Sequence, residues 1–256
     1  MSYRFFTQST ANNGKIMLEG EQARHAIQVM RFDVGDEIIL FDGSGTEYEA
    51  RIDQVEKKQI WLSIENQRVV PRAIDASITL AVALPKGDRQ KVLVEKLVEL
   101  GVERLIPLET NRSVAVSNEK VIHRLQKQVV EASKQCGRNR LMRIESGSTI
   151  GNISGLLEPS ALKLIADPYR GQPILEISKL CVAEMPIEIV VVIGPEGGFD
   201  EDENTLSQSL GFQPVRLGPS ILRVETAAIA IAAILGVGLE SGRPESGEPQ
   251  SSGAQR

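Results

Sequence analysis

Cysteine and histidine are both scarce in this chain of 256 residues, which holds two of each. Cys136 and Cys181 stand far apart, and no C-x-x-C pair or Cys/His cluster occurs. That pattern speaks against a disulfide framework and against a structural zinc site. No metal is expected, and a reducing compartment, the cytoplasm, is. Long hydrophobic runs are missing as well. The longest, Ala227 to Leu239, has 13 residues, short of the roughly 20 that span a bilayer. It reads as a buried helix, and no membrane partner is expected. The first ten residues carry no apolar signal core. Two common phosphate cradles are absent too: the loop ending in Lys-Ser/Thr and the G-x-G-x-x-G turn.

What is present is an ordinary globular composition, 41% apolar and 25% charged, at a length that allows one large or two ordinary domains. The net charge of −5 looks wrong for a nucleic-acid binder, but it hides an asymmetry. Residues 86–143 carry 13 Lys/Arg against 7 Asp/Glu, whereas residues 144–256 carry 7 against 15. A basic middle can serve as a phosphate footprint while the acidic remainder keeps the protein soluble. A solvated lysine-rich helix face would give the same count.

The most informative residues lie near the C-terminus. Gly194-Pro195-Glu196-Gly197-Gly198-Phe199 follows the apolar run Ile189 to Ile193. Leu217-Gly218-Pro219-Ser220-Ile221-Leu222-Arg223-Val224-Glu225-Thr226-Ala227 leads into the apolar stretch Ala227–Leu239. Both read as strand-to-helix turns, where α/β proteins hold ligands outside the carboxyl ends of their strands. Glycines there allow tight turning and close backbone approach. Glu196 would repel a pyrophosphate. The loops suit a ligand that is neutral or cationic on that side, and S-adenosylmethionine, with its sulfonium and ammonium, fits.

The rest of the chain falls into two patterns. Up to about residue 72 it reads as a small β-barrel with one helix. Strands are expected at Lys15–Leu18, Glu37–Phe41, Tyr48–Val55 and Gln59–Ile64, and a helix at Glu21–Met30. Val69-Val70-Pro71-Arg72 reads as the exit linker. From Ile78 strands and helices alternate. The strands are Ile78–Leu84, Arg104–Pro107, Lys163–Ala166, Glu188–Ile193 and Pro214–Leu217. The helices are Arg89–Leu100, Asn118–Cys136, Pro173–Leu180, Glu201–Leu210 and Glu225–Leu239. Asp200 and Glu203 form a candidate capping pair. Alternation of this kind implies an α/β domain over 73–240, with a mostly parallel sheet covered on both faces. The tail, 241–256, has no core former and is expected to be disordered.

The two C-terminal turns resemble the cofactor motifs of the RsmE family, 16S ribosomal RNA uridine N3-methyltransferases of the SPOUT superfamily. Further segments resemble the family: His25–Arg31 with Gly35-Asp36 and Phe41-Asp42-Gly43, Lys86-Gly87-Asp88-Arg89, Lys96–Val102, Asn111-Arg112-Ser113 and Glu131–Arg138. The likeness spans about residues 3–239. It implies a PUA-like RNA-binding barrel over 1–72, followed by a domain with a trefoil knot. It also implies a homodimer, S-adenosylmethionine as cofactor, and 16S rRNA in the small ribosomal subunit as substrate.

Carried onto this sequence, the cofactor would be held by Ile193, Gly194, Glu196, Gly197, Gly198, Leu217, Gly218, Ile221, Leu222 and Ala227. Arg223 and Glu225 become the catalytic candidates. Methylation at uridine N3 needs a proton removed and developing ring charge stabilised. Arg223 would meet that charge, while Glu225 or Glu196 would take the proton or hold Arg223 in place. Glu225 could equally be an ordinary helix-start carboxylate. RNA contact is expected of Arg4, His25 and Arg31, with Arg24, Tyr3 and Phe5 on the same edge, and of Lys86. Lys134, Arg138, Arg140 and Arg143 form a second candidate patch, with solvated charge as the plain alternative. Two other functions stay open: a non-catalytic RNA-binding assembly factor, and a knotted methyltransferase acting on tRNA or a ribose 2′-hydroxyl.

Overall fold

The computed structural model describes residues 3–70, 72, 77–115, 117–184 and 188–241. Pro71 of the expected linker, and the expected disordered tail apart from Ser241, lie outside them. The N-terminal part holds β1 (Arg4–Phe6), β2 (Lys15–Glu19), α1 (Gly20–Arg24), β3 (Glu37–Phe41), β4 (Thr46–Val55) and β5 (Gln59–Val69). They build a mixed five-stranded sheet in the order β1-β3-β4-β5-β2. Its two edges meet where the Thr7 hydroxyl, just after β1, donates to the Met17 carbonyl of β2 at 3.0 Å. The sheet curls around its own core, which includes Phe5, Leu18, Leu40, Ile52, Ile60 and Leu62. The expected helix over 21–30 divides in two: after α1 the chain widens into a π-turn at His25–Val29. Met30 N–H then donates to His25 O.

The remaining elements are β6 (Ser77–Val82), α2 (Arg89–Glu99), β7 (Arg104–Pro107), α3 (Glu119–Cys136), β8 (Arg143–Ile144), α4 (Ile150–Ile153), β9 (Leu162–Ala166), β10 (Gln172–Pro173), α5 (Ile174–Glu184), β11 (Glu188–Ile193), α6 (Glu201–Ser209), β12 (Gln213–Arg216) and α7 (Val224–Ser241). The seven strands form one sheet in the order β10-β12-β9-β11-β6-β7-β8, and each described pairing in it is parallel.

A parallel sheet buried on both faces explains the unbroken apolar runs in its central strands. Ile189, Val191 and Ile193 face a core shared with α2, α3, α5 and α7. Val190 and Val192 face the opposite core with Ile150, Ile153 and Phe212. Helix ends follow local chemistry. The Asn118 side chain caps α3 by accepting from Val121 N–H, and Gly137 closes that helix at φ +80°. Asp200 and Glu203 make the reciprocal capping box that opens α6. Within a single chain α7 is not enclosed on all sides. Ala228, Ile231, Ala232 and Leu235 are fully buried, yet Ile229, Ala230, Ala233 and Ile234 keep part of their surface.

Candidate functional site

The site forms at the carboxyl ends of β9, β11 and β12. The chain leaves β11 at Ile193 and turns through 194–199, with Gly198 at φ +66° and its N–H donating to Pro195 O at 2.8 Å. Gly194 is required by packing. A Cβ there would lie 2.8 Å from the Phe199 ring, inside any real carbon contact. Two neighbours brace the turn. Arg112 Nη1 donates to Gly197 O at 2.6 Å, and Asn111 Nδ2 donates to Asp200 Oδ2 at 2.6 Å. The Asn111 amide hydrogen bond holds the Asp200 carboxyl below the usual carboxylate range, helped by the Glu203 N–H. That keeps the cap of α6 ionised.

The second turn, 217–223, runs from β12 into α7. A third loop follows β9. There Asp167 Oδ1 accepts the N–H groups of Tyr169 and Arg170 at 2.8 and 3.1 Å, and Asp167 N–H donates to Val215 O at 2.9 Å. The three loops enclose a cavity of about 510 Å³. Ile193, Gly194, Glu196, Gly197, Gly198, Leu217, Gly218, Ile221, Leu222 and Ala227 all line it. So do Asp167, Tyr169 and Arg170, which the sequence reading passed over. The signal available was position alone, since Asp167 and Pro168 directly follow a strand at its carboxyl end.

Arg223 and Glu225 are not among the lining residues, although their chain neighbours Leu222 and Val224 are. The Arg223 side chain is exposed and makes no hydrogen bond or ion pair to the described residues. Glu225 is buried, 9% exposed, in the first turn of α7. Its carboxylate faces Arg89 from the start of α2, at 3.5 Å, and the same Arg89 Nη1 reaches Glu196 Oε1 at 3.2 Å. The expected alternative in which Glu225 or Glu196 holds Arg223 is therefore corrected: both carboxylates hold Arg89. The sequence reading missed Arg89 because its partners are remote in the chain.

The RNA candidates separate by accessibility. His25 is half-buried, and Arg31, Lys86 and Arg140 are exposed. Arg138 is corrected: it is 3% exposed, and its Nη1 donates to Val98 O and Val102 O at 3.2 and 2.7 Å. Burial pulls its guanidinium below the ordinary arginine value, opposed by Glu103. It closes the gap between α2 and the strand that follows, and its burial keeps it from a phosphate. Arg4 is corrected too, being turned inward on Glu47 at 3.1 Å. Phe5 belongs to the core, and Lys134 lies over its ring, paired with Glu131. Among the described residues no group of three or more His, Cys, Asp or Glu is placed to hold a metal ion, and no helix is long and apolar enough to cross a membrane.

Residues 73–236 match the model of the RNA methyltransferase domain family, and residues 18–65 match that of the RNA methyltransferase PUA domain. The ribosomal RNA small subunit methyltransferase E of Rickettsia conorii is 33% identical over 237 residues, 90% of this chain and 92% of the relative. The crystal structure of the enzyme of that name from Neisseria gonorrhoeae, bound to S-adenosylmethionine, superposes with a TM-score of 0.83 at 29% identity, covering 93% of this chain and 98% of the other. A Legionella pneumophila protein in complex with the same cofactor gives a TM-score of 0.80 at 30% identity, again covering 93% and 98%. The chain belongs to the RsmE family of ribosomal RNA small subunit methyltransferases.

Proposed function

We propose that this protein transfers a methyl group from S-adenosylmethionine to N3 of a uridine in 16S rRNA of the small ribosomal subunit. The observation that carries the reading is the convergence of two remote turns, 194–199 and 217–222, on one cavity, with Arg223 in the chain between its lining residues Leu222 and Val224. The cavity suits the cofactor. Gly198 and Gly218 have nothing within 4 Å of where a Cβ would stand, which leaves their backbone open to a ligand. Val215, Leu217, Leu222 and Ala227 give an apolar wall for adenine, and Asp167 and Glu196 bring negative charge toward a cationic ligand. When bound, the cofactor supplies an electrophilic methyl group whose carbon–sulfur bond breaks as the carbon–nitrogen bond forms, the electron pair staying with sulfur.

The chain must then stabilise the ring and accept a proton. As N3 loses its proton, negative charge develops on O2 and O4 of the uracil. Arg223 meets that charge; a donor in this role is worth about 10²–10³ in rate. Of the two carboxylates, Glu196 lines the cavity and Glu225 does not. Glu196 therefore accepts the proton. Glu225 is a positioning residue that holds Arg89 against the first turn.

Residues 1–72 act as the RNA-binding module and 73–240 as the catalytic one, with His25, Arg31, Lys86 and Arg140 on the RNA. The working form is a cytoplasmic homodimer, consistent with the partly exposed apolar residues on α7. The trefoil knot belongs to the same reading and comes from the family to which the chain belongs.

The test is transfer of radiolabelled methyl from S-adenosylmethionine to unmodified 30S subunits, with tRNA in parallel. Label in 16S rRNA supports the proposal. Label in tRNA alone overturns it in favour of a different substrate, and cofactor-independent RNA binding without transfer returns the assembly-factor reading.

A further inference from the structure

We infer that Glu47 is a positioning residue: buried where the two modules meet, it fixes the N-terminal sheet in one orientation against the methyltransferase domain. It thereby sets where bound rRNA lies relative to the cavity, an inference that rests on the proposed function. Glu47 is on β4 and is 2% exposed. A buried carboxylate is costly unless fully paired, and this one is crowded with donors. Arg4 Nη1 lies 3.1 Å from Oε2, Arg72 Nη1 3.2 Å from Oε2, and Arg68 Nη2 3.2 Å from Oε1. The fourth donor, Asn139 Nδ2 at 3.0 Å, comes from the other module.

The same groups cross the junction repeatedly. Arg72 Nη1 also donates to Gly137 O at 2.7 Å, the carbonyl at the end of α3. Arg4 donates both to Gly137 O and to the Asn139 side chain. Asn139 Nδ2 donates to Val70 O at 2.6 Å, and its own carbonyl accepts from Gly45 N–H at 3.2 Å. Leu141 N–H reaches Gly43 O at 3.1 Å. Other crossing pairs, such as Lys127–Glu21, are largely exposed, and exposed pairs contribute little.

Direction, not bulk, distinguishes this junction. The core of the N-terminal sheet shares no buried residue with the two cores of the seven-stranded sheet. Each module therefore has its own means of staying folded. The contacts around Glu47 are polar and angle-dependent, so they select one arrangement of two independently packed bodies. Arg31 and His25 on one side, and the cavity on the other, are then held at a constant separation.

The test compares the full-length wild type, Glu47→Gln and Arg72→Gln. Arg72 is partly exposed, so its variant keeps the question answerable where Glu47→Gln fails to fold. The expected result is a KM for 30S subunits raised about tenfold or more in Glu47→Gln and less in Arg72→Gln. The kcat and the Kd for S-adenosylmethionine stay within about twofold of wild type. A second readout needs no activity: spin labels on Lys57→Cys and on the exposed native Cys136, in protein diluted with unlabelled chains. The inter-label distance distribution is narrow in wild type and broad in Glu47→Gln. An unchanged KM with an unchanged distribution overturns the inference, as does a loss confined to kcat or to cofactor affinity. If wild type fails to methylate 30S subunits, the proposed function falls, and the distance distribution still decides the role of Glu47.

Discussion

Adding one methyl group at Gly194 tests the architecture of the cavity most sharply. In Gly194→Ala the new Cβ would stand 2.8 Å from both Cε2 and Cζ of Phe199 and 3.2 Å from Cδ2. Carbon atoms in contact rest at about 3.5–4.0 Å, so the ring must retreat by roughly 1 Å or the turn must open. Phe199 is half-buried between the core that holds Val190, Val192 and Phe212 and the cavity it lines, so a ring that retreats moves into the space of the ligand. Overpacking of this sort costs about 1–3 kcal/mol. Where the turn absorbs the strain, the loss falls on the ligand. At about 1.4 kcal/mol per factor of ten, affinity for S-adenosylmethionine drops roughly 5- to 100-fold. Calorimetric titration of the folded variant gives the Kd, and a thermal melt run beside it gives the stability. Phe199→Leu in the same chain removes the clashing ring atoms and restores much of the affinity, a coupling read by a double-mutant cycle. A Gly194→Ala protein that binds within twofold of wild type, or one that Phe199→Leu does not rescue, would refute the reasoning.

Four further outcomes follow from the same geometry. Arg223→Ala leaves folding and cofactor Kd near wild type, because the side chain is exposed, and lowers kcat on 30S subunits by about 10²–10³. Arg112→Ala removes the 2.6 Å bond to Gly197 O; at this exposed site the bond is worth about 0.5–1.5 kcal/mol, and equilibrium dialysis should show modestly weaker cofactor binding without loss of fold. Gly218→Val has a negative-φ backbone and open space at its Cβ, so a thermal melt should show no destabilisation while cofactor affinity falls. The last concerns pH. Burial alone would raise the Glu47 carboxyl, but the Asn139 amide and the Arg4 and Arg72 guanidiniums outweigh it and hold it below its ordinary 4.5. A depressed folded value means stability that is present above the unfolded value and lost as pH falls through the folded one. Scanning calorimetry should show wild type losing more stability than Glu47→Gln once the pH drops below the ordinary carboxylate value.

Some of this architecture was readable from the chain and some was not, for identifiable reasons. Glu188–Ile193 and Arg104–Pro107 were read at their true ends because each is an unbroken apolar run behind one charged residue, as a doubly covered parallel strand requires of its interior. Asp200 and Glu203 announced their helix through capping chemistry that is local by nature. Arg4–Phe6 escaped notice because three residues carry no periodicity; the strand exists only by pairing with Glu37–Phe41. In α3 the polar Ser133 is fully buried while Cys136, the last residue of the helix, is exposed, which the range of the helix alone does not reveal. Arg138 looked like surface charge, since nothing in its neighbours reveals that the carbonyls of Val98 and Val102 wait for a donor. The turns at 194 and 217 were legible as motifs because glycine leaves a mark. The Asp167–Arg170 wall and Arg89 have no such mark and needed the fold to bring them in.

The central claim is that a uridine N3 is methylated in the small subunit. The direct measurement is nucleoside mass spectrometry on 16S rRNA from unmodified 30S subunits incubated with the protein and S-adenosylmethionine. The account predicts N3-methyluridine in near-stoichiometric amount with wild type and little with Arg223→Ala. A methylated ribose, a different methylated base, or equal product from Arg223→Ala would contradict it.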